Sequence, residues 1–264
     1  MANQYKTARA IHANRGIEAK YKKDLQSAID NMHNSYVYWL TAGYKKEPPK
    51  VATLVDIARD ALPSKMIQKL LKALGKRWID KFEDFAKAMA TKYVGRMYKF
   101  SDTAFRQSLK DVGWSVDFKM TPAMKDALES SIAENIALIK SIPVQYLNQV
   151  EGAVMRSYSA GRDLATMVKD IRAIYPVTKR RAAFIAIDQS NKANAVVNRV
   201  RQLELGITEA IWLHSHAGKV PRKSHVAANG KKYSIADGCL IDGEHIQPGE
   251  KPNCRCVSRP ILPI

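Results

Sequence analysis

The stretch MIQKLLKALGKRWIDKFEDFAKAMATKYVGRMYKF, residues 66–100, constrains the chain most. Its apolar residues Ile67, Leu70, Leu71, Leu74, Trp78, Phe82, Phe85, Met89, Tyr93 and Met97 recur at steps of three and four, with lysines between them. A helix advances about 3.6 residues per turn, so this spacing draws one apolar stripe along one face and leaves the lysines in water. It predicts a single long amphipathic helix. Pro63 and Ser64 precede it, where a helix start tolerates proline and a hydroxyl can cap it; SDTAF at 101–105 offers a cap for a following helix. A first helix is expected from Thr7 to Tyr38, ended before the turn-rich AGYKKEPPK. Thr121-Pro122 opens another with Leu128, Ile132, Ile136 and Ile139 on one face, ended by Pro143. Residues 145–174 and 178–205 read as two more, the last closed by Gly206. There is no internal repeat and no low-complexity segment.

From Gly206 onward the pattern changes. That stretch holds six of the 13 glycines, five of the 11 prolines, four of the six histidines and all three cysteines. Short β-prone pieces such as AIWL and KKYSI replace the helical period. Asn229-Gly230 reads as a two-residue hairpin turn between VAA and KKYSI, and Gly249 after a proline as a second tight turn. The expected fold class is α+β: a mainly α-helical region over residues 1–176 and a small, loop-rich α+β module within 177–264. A module of that composition buries little apolar surface, so a metal or packing on the preceding helix should help to hold it.

An odd cysteine count argues against a disulfide framework, and Cys254 and Cys256, with one residue between them, would close a strained ring. Soft ligands are available in His214, His216, His225, Cys239, His245, Cys254 and Cys256, and structural zinc takes four of this kind in a tetrahedron. The candidate set is His225, Cys239, Cys254 and Cys256, with His245 as the other choice for the fourth place. The spacing is not that of a finger or ribbon, which puts two residues between paired cysteines. In an extended segment Cys254 and Cys256 point to the same face, which permits shared ligation or simply shared burial as two small apolar side chains. A nucleophilic cysteine next to Arg255 is a third reading, but nothing fixes a base and an orienting carboxylate against one sulfur.

The chain of 264 residues is 46% apolar, enough for one large or two modest domains, and its formal charge is +18. Residues 61–110 hold 12 basic against 4 acidic residues and 177–264 hold 14 against 7, whereas 111–176 hold 7 against 8. Such a field attracts polyanions or an acidic protein surface, and it also describes a solvated lysine-rich face. Lys69, Lys72, Lys76, Arg77, Lys87 and Lys92 are the candidate phosphate contacts. No apolar run is long enough to span a bilayer, and MANQYKTARA has no signal-like stretch, so the expectation is a soluble protein made in a cytoplasm with no membrane partner.

Residues 184–256 resemble the C-terminal domain of phage Mu F-like head morphogenesis proteins, the minor capsid proteins of tailed phages. The elements that coincide, in order, are Asp188-Gln189, Asn191, Lys192, Asn194, Arg201-Gln202, Leu205-Gly206-Ile207 and Trp212. They continue with Arg222, Ser224-His225, Asn229-Gly230-Lys231, Pro248-Gly249-Glu250 and Asn253-Cys254-Arg255-Cys256. Where such proteins commonly carry an acidic residue before an Arg-Val-Arg-like segment, this chain reads HSHAGKVPRKSH, so a salt bridge at that loop is not carried over. The resemblance implies a structural, non-enzymatic minor head protein, present in few copies near the portal vertex and inside the head. It implies the portal protein and major capsid or scaffolding proteins as partners, with double-stranded DNA as a further contact, and host cytoplasm as the place of assembly.

Two other classes compete. A nucleic-acid-processing or zinc-dependent hydrolytic enzyme would use the C-terminal His and Cys residues, but no HExxH-type spacing is present, and Glu209, Asp237, Asp242, Glu244 and Glu250 are the module's few carboxylates after Gly206. A sequence-specific DNA regulator would need a short helix-turn-helix spacing that the lysine-rich helix lacks.

Overall fold

The computed structural model describes residues 6–46, 63–161, 163–216 and 220–263. Four long helices carry the described chain as far as Glu204: α1 (Arg15–Lys46), α2 (Pro63–Lys110), α3 (Pro122–Ser159) and α4 (Leu164–Glu204). After them come β1 (Glu209–Leu213), the short helix α5 (Lys223–Ala227), β2 (Lys232–Ser234), β3 (Cys239–Ile241), β4 (Glu244–Ile246) and β5 (Val257–Ile261). The α+β class is therefore as expected.

The apolar stripe of α2 is buried at Ile67, Leu71, Leu74, Trp78, Phe82, Met89, Tyr93 and Met97, and its lysines face water. Several element ends differ from the periodicity reading. The first helix starts at Arg15, where the Asn14 side chain accepts the Ile17 N–H at 3.0 Å, rather than at Thr7. Thr7 instead bridges to Ile261, and the Leu262 N–H donates to the Lys6 carbonyl at 2.8 Å. α1 also runs on through AGYKK, because Tyr44 continues its buried face. The SDTAF segment starts no new helix: α2 passes through it, and the buried Ser101 hydroxyl donates to Asn194 Oδ1 at 2.8 Å. Thr121 does cap α3, accepting the Met124 N–H at 3.1 Å. The expected cap at Ser64 and the segment EPPK lie outside what is described of the chain.

The prolines break nothing. α3 continues through Pro143, and α4 through Pro176. On both sides of Pro143 the same face is buried, at Ile139, Ile142, Tyr146 and Val150, and that burial outweighs one missing backbone hydrogen bond. The actual break falls at Gly161, whose φ of +60° is a helix-ending conformation that costs glycine little.

Two compact units form, and neither is a consecutive stretch. One joins Lys22–Ala88 with Ile136–Ile185, around Leu25, Ile29, Tyr36, Phe82, Ile139 and Tyr146. The other joins Met1–Tyr21, Met89–Asn135 and Ala186–Ile264, so the C-terminal strands share their unit with both earlier segments.

In this second unit β1 is the centre of an antiparallel sheet of order β2-β1-β5, with Ala210 opposite Tyr233 and Pro260, and Trp212 opposite Ser258. β3 and β4 form a separate antiparallel pair, with Cys239 opposite Ile246. The core beneath them gathers Ala8, Ile11, Phe105, Leu109, Trp212, Tyr233, Ile235 and all three cysteines. AIWL and KKYSI are strands that pair with each other, as their composition suggests. Asn229-Gly230 is not their hairpin loop. No strand precedes it, since Val226 and Ala227 belong to α5, and the pair instead closes that helix. The Gly230 N–H donates to the Trp212 carbonyl at 2.8 Å, and Asn229 Oδ1 accepts the His214 N–H at 2.9 Å.

Candidate metal centre

Within the second unit, α4 turns a buried polar face toward the strands. Asp188, Asn191, Asn194, Asn198, Arg201 and Gln202 fall at steps of three and four, and each is at least nine-tenths buried. Buried polar groups need partners, and most of these atoms have them, Asn198 Oδ1 excepted among the described residues. Asn194 donates to the Ile11 carbonyl at 2.8 Å while accepting the Ser101 hydroxyl. Gln189 donates to Glu134 at 3.1 Å, and Gln202 Oε1 accepts the Ser258 hydroxyl of β5 at 3.0 Å. Arg201 is fully buried: it pairs with Asp102 and Glu204 at 2.7 Å each, donates to the Lys119 carbonyl at 2.8 Å, and lies over the Phe118 ring at 4.6 Å. Those two carboxylates raise its pKa against the opposing effect of burial.

Asp188 positions the cysteine segment. Its Oδ1 accepts the Asn253 N–H at 2.6 Å, and its Oδ2 faces Lys192 at 3.4 Å. Arg222 holds the same turn by donating to the Pro252 carbonyl at 2.9 Å. Asn253 takes φ +57°, after which Cys254 and Cys256 turn inward, 3% and 4% exposed. Gly249 packs on α4 so closely that a Cβ there would lie 2.8 Å from that of Ala195, and its φ of +85° excludes most side chains.

His225, on α5, closes the group from the other side. Its ring is 4% exposed and stands edge-on to Trp212, with centroids 5.3 Å apart. Its Nδ1 lies 3.5 Å from Cys254 Sγ and 3.7 Å from Cys256 Sγ, and the three ligand atoms are all within 4.8 Å of one another. The contact between the two thiols lowers the Cys254 pKa, while that same contact and burial raise that of Cys256.

Three of the five expected ligands thus come together. Cys239 and His245 stand outside this group, on β3 and β4. Burial pushes the Cys239 thiol up, as for a small core side chain, and His245 Nδ1 sits 3.3 Å from the Gly238 carbonyl. Trp212, one of the residues that carry the family resemblance, is fully buried beside this group, with its ring against that of His225. Lys69, Lys72, Lys76, Arg77, Lys87 and Lys92 are exposed along α2, Lys87 facing Glu83 at 3.7 Å and Lys92 lying over the Tyr93 ring. No helix among the described residues is long and apolar enough to cross a membrane.

Residues 148–259 match the family described as Phage Mu protein F like protein, a region that begins ahead of the motif-bearing part of α4 and ends on β5. A protein of Haemophilus influenzae (strain ATCC 51907 / DSM 11121 / KW20 / Rd), named only as an uncharacterized protein, is 31% identical over 253 residues, 93% of this chain. The chain spans about half, 53%, of that relative's length. No solved structure matches.

Proposed function

We propose that this chain, whose residues 148–259 form a Phage Mu F-like domain, is a phage head protein that acts as a structural component in head morphogenesis. The observation that carries the reading is the family match over the part of the chain whose polar residues bind one another. Asp188 holds the Asn253 turn, Gln202 holds β5, and Asn194 holds the N-terminal segment. Those side chains are engaged in fixing one fold. His225, Cys254 and Cys256 are covered to the same degree, which suits a closed structural centre better than a hydrolytic site that must admit a polymer.

Within the head, the site of action we propose is the portal vertex, with the portal protein and the coat or scaffolding proteins as partners. The exposed lysines of α2 supply a positive surface for an acidic protein face or for packaged DNA, where phosphate contacts read no sequence. Co-expression with the portal protein of the same head gene cluster, followed by size-exclusion chromatography, tests the partner. Co-elution at defined stoichiometry is expected; separate elution at micromolar concentrations of both would remove the portal assignment.

A further inference from the structure

We propose that His225, Cys254 and Cys256 are three of the four ligands of one structural zinc ion. Such an ion would hold the module together whether or not the chain acts in head assembly. In tetrahedral zinc sites the metal lies about 2.0–2.1 Å from a histidine nitrogen and about 2.3 Å from a thiolate, which sets ligand nitrogen and sulfur roughly 3.6 Å apart. The separations here are 3.5 and 3.7 Å. The nitrogen-to-sulfur separations therefore match those that a tetrahedral ion would impose.

The three side chains are enclosed as a structural metal centre needs: His225, Cys254 and Cys256 are each at least nine-tenths buried, and the Trp212 ring stands edge-on to His225. Bound as thiolates beside a neutral imidazole, the two cysteines would carry two negative charges, which a divalent ion brings to zero.

Soft sulfur with imidazole in a tetrahedral arrangement selects zinc over the oxygen-seeking magnesium and calcium. The site also has a structural task. It ties α5 to the segment that enters β5, across a module whose strands are three to five residues long. A bond network of this kind replaces the apolar burial that so small a sheet cannot provide.

The test uses the full chain, expressed in zinc-supplemented medium and purified without chelator. Metal analysis should find about one zinc per chain, and Cys239→Ala, outside the group, should keep it. Cys254→Ala combined with Cys256→Ala should lose it. Because that variant can fail to fold, a second measurement is made on the native chain. Replacing zinc by cobalt(II) should produce a thiolate-to-cobalt charge-transfer absorption, and stripping the metal should lower the melting temperature, with recovery on adding zinc but not magnesium. Folded chain with less than about a tenth of an equivalent of zinc and no charge-transfer band on cobalt addition would overturn the proposal. So would zinc retained in the double cysteine variant.

Discussion

Arg201 shows how single residues hold the second unit together. Its guanidinium is fully buried between Asp102, on α2, and Glu204, while Arg106 approaches Asp102 from the exposed side. Removing one member of a buried, hydrogen-bonded charge group leaves the rest uncompensated, at a cost of about 3–5 kcal/mol. Arg201→Ala should therefore lower the urea unfolding free energy by about that amount with the slope unchanged; a loss under about 1 kcal/mol would mean that water replaces the guanidinium. Gly249→Ala should cost more than an ordinary loop substitution, because the new methyl meets Ala195 and the backbone sits at φ +85°. Urea unfolding of that variant checks it. Both positions stood out in the sequence as motif residues. Their partners did not, because Asp102 lies 99 positions from Arg201 and no local pattern couples them.

At the scale of elements, periodicity located the helices well and their ends poorly. The stripe of α2 is read correctly since each buried side chain leaves its own mark at a fixed step, whereas on α3 Ile139 is buried and Leu128, Ile132 and Ile136 are half-buried. Proline was read as a break because it lacks an N–H, but packing on both sides of Pro143 and Pro176 keeps each helix whole. Pro143→Ala should then restore a backbone bond and raise stability, by up to about 3 kcal/mol; a decrease would show that the proline's geometry is itself used in packing. β1 and β2 were legible in composition, as AIWL and KKYSI, while the use of Thr7 at the β5 edge was not, because a bridge to Ile261 has no counterpart in nearby residues. In the first unit, His33 stacks on Tyr175 at 4.4 Å and bonds Tyr146 OH at 2.8 Å. Burial, then the Arg172 charge, lower its pKa below 6.5, against the opposing pull of Asp30. The unfolded chain thus takes up that proton first as pH falls. Stability contributed by the neutral ring is present above pH 6.5 and declines below it, and His33→Gln should flatten that part of the pH–stability curve.

For the whole molecule, the charge and the family match over residues 148–259 point to the same proposed setting by different routes. If the α2 lysines contact phosphates, the chain should bind duplexes of unrelated sequence with similar affinity, and log K should fall linearly with log salt. Changing Lys69, Lys72, Lys76 and Lys87 to Gln should weaken that binding while leaving the melting temperature nearly unchanged, since all four are exposed. Absence of binding at low salt would leave the lysines as a solvated or protein-facing surface. The most direct measurement of the central claim is the protein composition of purified heads, assembled from the gene cluster that encodes this chain, by quantitative mass spectrometry. The account predicts that the chain is present in every preparation at far fewer copies than the coat protein, and that deleting its gene yields defective heads. Heads that form and package DNA normally, with no trace of the chain in them, would contradict it.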